Sequence, residues 1–176
     1  MKVVLISGKA RHGKDTAAFA IKDYLQSKGK RVLIAHYGDL VKYTCKTFFG
    51  WNGVKDEAGR TLLQKVGTDS IRAKSPDFWV DYVIGVVQAF PNQRDYILIP
   101  DTRFPNEIER WGGIENIEPI HLRVVRKNFV SNLTDEQKNH QSEIALDNAR
   151  PDVLMENSGT VDEFRTKIFQ WLDSIV

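Results

Sequence analysis

The segment Gly8-Lys9-Ala10-Arg11-His12-Gly13-Lys14 sets two glycines and a lysine at the spacing G-x-x-x-x-G-K, directly after an apolar run and directly before a segment of helical period. That context suits a loop that cradles phosphate. Glycines let the backbone curl so that successive N–H groups point inward, and the helix N-terminus behind them adds partial positive charge. Lys14 then stands where an ammonium can meet the β- and γ-phosphates of a nucleoside triphosphate. Gly8, Ala10, Arg11, His12, Gly13 and Asp15 become candidate nucleotide contacts with it, His12 at a variable position that equally suits solvent. A glycine-rich strand-to-helix turn with no ligand has the same spacing, and the strand before it and the helix after it favour the phosphate loop.

Where such loops usually place a Ser or Thr that ligates Mg²⁺, this chain has Asp15, and a hydroxyl follows at Thr16. Asp15 suits a water-mediated hold on magnesium or a helix cap, and Thr16 suits a place beside the α-phosphate. Further along, the apolar run Tyr96 to Ile99 ends in Pro100-Asp101-Thr102-Arg103. An acid at the carboxyl end of such a strand can polarise the metal shell, or it can cap the turn ahead of Pro105. Asp15, Thr16 and Asp101 are therefore the metal candidates, and Lys14, Asp101 and Arg103 the catalytic ones. His12, His36, His121 and His140 have no i, i+4 ligand spacing, no G-x-S-x-G elbow is present, and Cys45 is the only cysteine. A histidine metal site, a serine hydrolase and an internal disulfide are thereby disfavoured.

These residues need a scaffold that brings strand ends together. Short apolar runs alternate with helix-period segments, which predicts an α/β fold with a mostly parallel five-stranded sheet between helices. The strands are expected at Lys2 to Ile6, Arg31 to Ala35, Tyr96 to Ile99, Ile120 to Val125 and Val153 to Glu156. Helices are expected at Lys14 to Lys28, Asp39 to Phe49, Thr61 to Lys74, Asp77 to Phe90, Asn106 to Trp111 and Val161 to Ile175. Gly29, Pro105 and Gly112-Gly113 punctuate their ends. The polar stretch from Lys127 to Gln141 interrupts the alternation and reads as an excursion or lid, spanning about residues 126 to 142 of a single domain.

The ordered set Gly8 to Thr16 with its Gly-Lys-Asp-Thr ending, Gly67-Thr68-Asp69 with Arg72, Phe78-Trp79-Val80, Pro100 to Arg103 with Glu107, and Ile120-His121 resembles the bacteriophage deoxynucleoside monophosphate kinases, within the P-loop nucleoside monophosphate kinases. The resemblance spans most of the chain, which looks shorter than well-known members between Gly50 and Arg60. It implies a P-loop kinase fold, with an acceptor site between the phosphate loop and the helices after the second strand. Asp39, Lys42, Gln64, Asp69, Arg72 and Arg103 then become acceptor-side candidates, although each is also an ordinary polar residue on a helix or loop. Among Arg123, Arg126 and Lys127, Arg126 is the choice for a lid arginine that closes over phosphates. Asn157 and Gly159 lie in the loop that passes the adenine in similar kinases. His140-Gln141-Ser142-Glu143 matches a segment after the lid, with no role that follows from its residues.

The implied reaction is transfer of the γ-phosphate of Mg·ATP to a deoxynucleoside monophosphate (dNMP), with ATP and Mg²⁺ as cofactors. An acceptor phosphate is already an anionic nucleophile, so the chemistry asks for cations and not for a base. A kinase of another phosphorylated metabolite, such as phosphomevalonate or dephospho-coenzyme A, shares parts of the pattern, and a non-catalytic nucleotide-binding module shares the loop. A formal charge of +2 argues against a nucleic-acid partner. The run Val3 to Ile6 is too short for a signal core or a membrane span, so a cytoplasmic setting is expected. The oligomeric state stays open, a homodimer included.

Overall fold

The strand that ends at the phosphate loop is the middle strand of a five-stranded parallel sheet. A computed structural model describes residues 1–90 and 92–175. Its strands are β1 (Lys2–Ser7), β2 (Val32–Ile34), β3 (Tyr96–Thr102), β4 (Glu118–Val125) and β5 (Val153–Glu156), in the order β2-β3-β1-β4-β5. The chain leaves β1 towards β2 on one side, and β3 is followed across β1 by β4. The carboxyl ends of β1, β3 and β4 therefore flank a topological switch point, where open α/β sheets bind ligands.

The apolar runs are continuous because these strands are covered on both faces. Val4, Ile6, Leu98, Leu122 and Val124 pack against α1 (Lys14–Ser27) and α8 (Val161–Asp173) through Ala17, Ile21, Phe164 and Ile168. Val3, Leu5, Ile97 and Ile99 face the other layer, formed by α2 (Gly38–Phe49) and α4 (Phe78–Ala89) through Val41, Cys45, Trp79 and Val83. Leu5 is fully buried, and truncating such a residue to alanine costs about 2–5 kcal/mol. α8 starts with a reciprocal cap in which Thr160 Oγ1 accepts the Glu163 amide and Glu163 Oε2 accepts the Thr160 amide.

Several expectations change. The helix predicted from Thr61 begins at Glu57 as α3 (Glu57–Gln64), because the Asp56 side chain caps it by accepting the Gly59 amide at 2.8 Å. It then widens into a π-helical segment, Lys65–Arg72, whose period no 3.6-residue pattern reveals. The polar stretch before β5 holds two short helices, α6 (Asp135–Asn139) and α7 (Gln141–Ile144), capped by Thr134 and His140 side chains. α5 (Asn106–Glu109) is shorter than predicted, and β3 runs on through Pro100 and Asp101.

Candidate active site

The turn after β1 is wound by Gly8 at φ 144°, Arg11 at φ 63° and Gly13 at φ 100°. A side chain at Gly13 would collide with Asn157, whose Nδ2 donates to the His12 carbonyl at 2.9 Å. Asn157 thus buttresses the loop from β5, and Gly159 lies one residue before the α8 cap. Lys14 is buried, and its Nζ donates to the Gly8 and Lys9 carbonyls at 2.8 and 2.9 Å. Burial, then repulsion from Arg103, pushes the Lys14 ammonium down to about 8. The loop places a cation where it is costly unless an anion arrives.

The loop already holds one anion. Glu143 of α7 has a side chain only 7% exposed, and its Oε2 accepts the Ala10 amide hydrogen at 3.0 Å. Its other oxygen is ion-paired with Arg103, which also donates to the Ser142 carbonyl at 2.8 Å. Burial opposes ionisation of Glu143, yet Arg103, the Ala10 amide and Lys14 hold its carboxyl below the ordinary value. A carboxylate thus stands at the loop with the charge sign of a phosphate oxygen.

A cavity of about 450 Å³ opens beside this loop. Ala10, Arg11, Lys14 and Asp15 line it from the loop side, and Asp101 and Arg103 from the end of β3. Lys42 of α2, Gln64 of α3 and Arg72 of the π-helical segment line the opposite wall. Its lining carries seven Lys and Arg side chains against four Asp and Glu. Gly8, His12, Gly13, Thr16, Asp39, Asp69, Arg126, Asn157 and Gly159 are absent from the cavity lining.

The metal candidates differ in how free they are. Both Asp101 oxygens accept backbone hydrogens at the start of α2, from Tyr37 at 3.1 Å and Gly38 at 2.8 Å. The Asp15 carboxylate is 77% exposed and lies 3.9 Å from His36 Nε2, which pulls the Asp15 pKa down while Asp15 raises that of His36. Among the described residues no cluster of three or more His, Cys, Asp or Glu could cage a metal. Magnesium in phosphate sites is held by one or two carboxylates plus phosphate and water, a donor set that Asp15 and a filled loop fit.

Arg72 reaches the wall with its charge already matched. Its Nη2 lies 2.5 Å from the buried Glu107 carboxylate, and its guanidinium stacks 4.0 Å over Phe104. Burial pushes Glu107 up to about 7, against the opposing pull of Arg72 and the amides of Arg103 and Phe104. Asp39 pairs with Lys42 at 2.7 Å, and Asp69 approaches His140 at 3.3 Å. Arg126 is exposed, with its amide on His12 Nδ1 at 3.2 Å and its guanidinium 5.0 Å over Phe129. Its neighbours are engaged: Arg123 pairs with Asp147, and Lys127 with Glu156.

Sequence reasoning assigned no role to Glu143, Lys55 or Arg60. The His140 to Glu143 motif marked Glu143 as part of a pattern, but only the fold brings it to a loop 133 residues earlier. Lys55 and Arg60 lie in the stretch after α2, whose polar composition gives no sign that it faces the phosphate loop.

A family model described as deoxynucleotide monophosphate kinase matches residues 37–168, most of the chain, in a span that begins after the phosphate loop. No curated protein matches the sequence. Among solved structures, dephospho-CoA kinase from Campylobacter jejuni superposes with TM-score 0.53 at 14% identity, covering 99% of this chain and 97% of that one. Shikimate kinase from Aquifex aeolicus gives 0.52 at 13% identity, covering 99% and 97%. At such identity these structures establish the P-loop kinase fold and leave the substrate open. Among the described residues no helix is long and apolar enough to cross a membrane.

Proposed function

Because the chain belongs to the deoxynucleotide monophosphate kinase family, a group of nucleotide phosphotransferases, we propose that it moves the γ-phosphate of Mg·ATP onto a dNMP to give dNDP and ADP. The observation that carries this reading is one cavity lined by the phosphate loop together with a surplus of cations, seven Lys and Arg side chains against four Asp and Glu. Two anions that must approach each other need such a surplus.

Bound Mg·ATP would supply the transferable phosphoryl group. Amides of the loop and Lys14 hold its β- and γ-phosphates, and Thr16 stands towards the α-phosphate. Asp15 would hold magnesium through water, with Asp101 as the alternative carboxylate. Arg103, between the two walls, is the cation nearest the transfer, and phosphate displaces Glu143 from it. Lys42, Gln64 and Arg72 shape the acceptor wall. Residues 126–142 act as a lid of one P-loop kinase domain, and Arg126 closes from it over the phosphates while water is excluded. Asn157 and Gly159 pass the adenine. A cytoplasmic location fits this substrate class.

The test is ADP release, followed by a coupled assay, from Mg·ATP with each dNMP, each ribonucleotide counterpart and phosphorylated metabolites outside the nucleotides. Stimulation by at least one dNMP above the metabolites is expected. Stimulation only by a metabolite such as dephospho-coenzyme A keeps a phosphotransferase and removes the nucleotide acceptor.

A further inference from the structure

Most cations around the cavity are already spoken for, and the exceptions are not randomly placed. Arg72 is paired with Glu107, Arg103 with Glu143 and Lys42 with Asp39, while Lys14 donates to two loop carbonyls. Among the described residues, three cationic side chains of the lining have neither an ion pair nor a side-chain hydrogen bond: Arg11, Lys55 and Arg60. Arg11 belongs to the phosphate loop and falls to the donor. Lys55 and Arg60 stand together on the opposite wall, where burial and the neighbouring Lys42, Arg60 and Arg103 lower the Lys55 pKa while Asp15 opposes the shift. Two unmatched positive charges on one wall are the complement of one phosphate dianion.

The segment that carries them is built, not slack. The Trp51 indole donates to the Val54 carbonyl at 2.9 Å, the Asn52 side chain accepts the Val54 amide at 2.9 Å, and Asp56 caps α3. Gly59 lets α3 close onto this turn, since a Cβ there would come within 2.1 Å of the Val54 carbonyl oxygen. The backbone that carries Lys55 and Arg60 is thus ordered before any ligand binds, which lowers the ordering cost of ligand capture.

We infer that Lys55 and Arg60 form the seat of the acceptor's phosphate, with Arg60 the bidentate partner, and that Arg72 serves as the buttress behind it. The inference rests on the kinase reading above and names the residues that hold its acceptor. Arg60 supplies a planar fork for two phosphate oxygens, and Lys55, within the field of both Asp15 and Arg103, guides the dianion towards the loop.

The experiment is steady-state kinetics of the full chain and of Lys55→Met, Arg60→Lys and Arg60→Ala, with the best dNMP varied at saturating Mg·ATP and then the reverse. We expect Arg60→Ala to raise the dNMP KM about tenfold or more, Lys55→Met and Arg60→Lys to raise it by less, and the ATP KM to stay within about twofold in all three. Titration of the same dNMP into each protein with a non-hydrolysable ATP analogue bound gives the matching loss of affinity. Unchanged dNMP KM and affinity in both Arg60 variants, with normal wild-type turnover, overturn the seat and leave the kinase reading standing. A fall in kcat with both KM values unchanged also overturns it, since it places these cations on the transferring group. No turnover of any dNMP by the wild-type chain removes the dNMP acceptor and this inference with it.

Discussion

One carboxylate oxygen of Glu143 accepts the Ala10 amide hydrogen at 3.0 Å, so a side chain from α7 sits on the phosphate loop. The other oxygen engages Arg103, and the three groups tie α7, β1 and β3 into one contact. Any phosphate that takes the Ala10 amide must displace this carboxylate. Glu143→Gln therefore weakens the empty protein and removes a competing charge from its anion site. Its melting temperature without ligand should fall, and the rise on adding Mg·ATP should exceed that of the wild type by a few degrees, about 2–4 °C per kcal/mol. Thermal melts with and without Mg·ATP decide this, and a smaller ATP-induced rise would make Glu143 a contact of the bound nucleotide.

Burial of the Lys14 ammonium comes at a cost to the empty fold. Its pKa is lowered to about 8, so between that value and the ordinary value of an unfolded lysine the unfolded chain binds more protons. Stability without ligand consequently rises as pH increases from 8 to about 10.5, and the penalty is fully present below pH 8. Lys14→Met should abolish turnover and raise apo stability at pH 7 by about 1–3 kcal/mol, with a flatter pH profile above 8. Urea unfolding at pH 7 and 9.5 checks the sign. A destabilised Lys14→Met at pH 7 would contradict it.

Asp101 and Asp15 separate by where their oxygens point. Asp101 accepts two amides at the start of α2, and an asparagine keeps only one acceptor oxygen there. Asp101→Asn should cost about 1–2 kcal/mol of stability and weaken magnesium-dependent turnover more than nucleotide binding. Asp15→Asn should leave the melt unchanged and shift the magnesium titration. If Asp101→Asn is silent in both measurements while Asp15→Asn is severely impaired, the metal role belongs to Asp15 alone.

Arg72 and Glu107 form a buried pair, with Arg72 12% exposed and Glu107 2%. Removing one partner strands the other's charge. Arg72→Met should lower unfolding free energy by about 3–5 kcal/mol in urea titrations. A loss below about 1 kcal/mol would mean that the pair is not a buttress, and the acceptor wall would need another explanation.

The sheet was legible because strands buried on both faces write continuous apolar runs, as Val3 to Ile6 and Tyr96 to Ile99 do, and the phosphate loop because its glycines and lysine lie together in the chain. Less could be read where geometry comes from distant pairing. The widening of α3 into a π-helical segment leaves no 3.6-residue trace, so Thr61 looked like a start. Gly59 lets the helix begin at Glu57 against the Val54 carbonyl, a close approach that the sequence does not show. The resemblance named Arg72 as an acceptor candidate but not its pairing with Glu107, 35 residues away, and Glu143 had no readable role because Ala10 lies 133 residues before it. Charge type shows in a sequence; charge pairing does not. The unmatched pair Lys55 and Arg60 could be recognised only after the matched ones were known.

Identification of the product decides whether the chain phosphorylates a dNMP. The chain is incubated with Mg·ATP and each dNMP in turn, and the nucleotides are separated and quantified by ion-exchange chromatography. A dNDP is expected in equal amount to ADP with at least one dNMP, and none with Lys14→Met. ADP formed without any dNDP, or equal dNDP formation by Lys14→Met, would contradict this expectation.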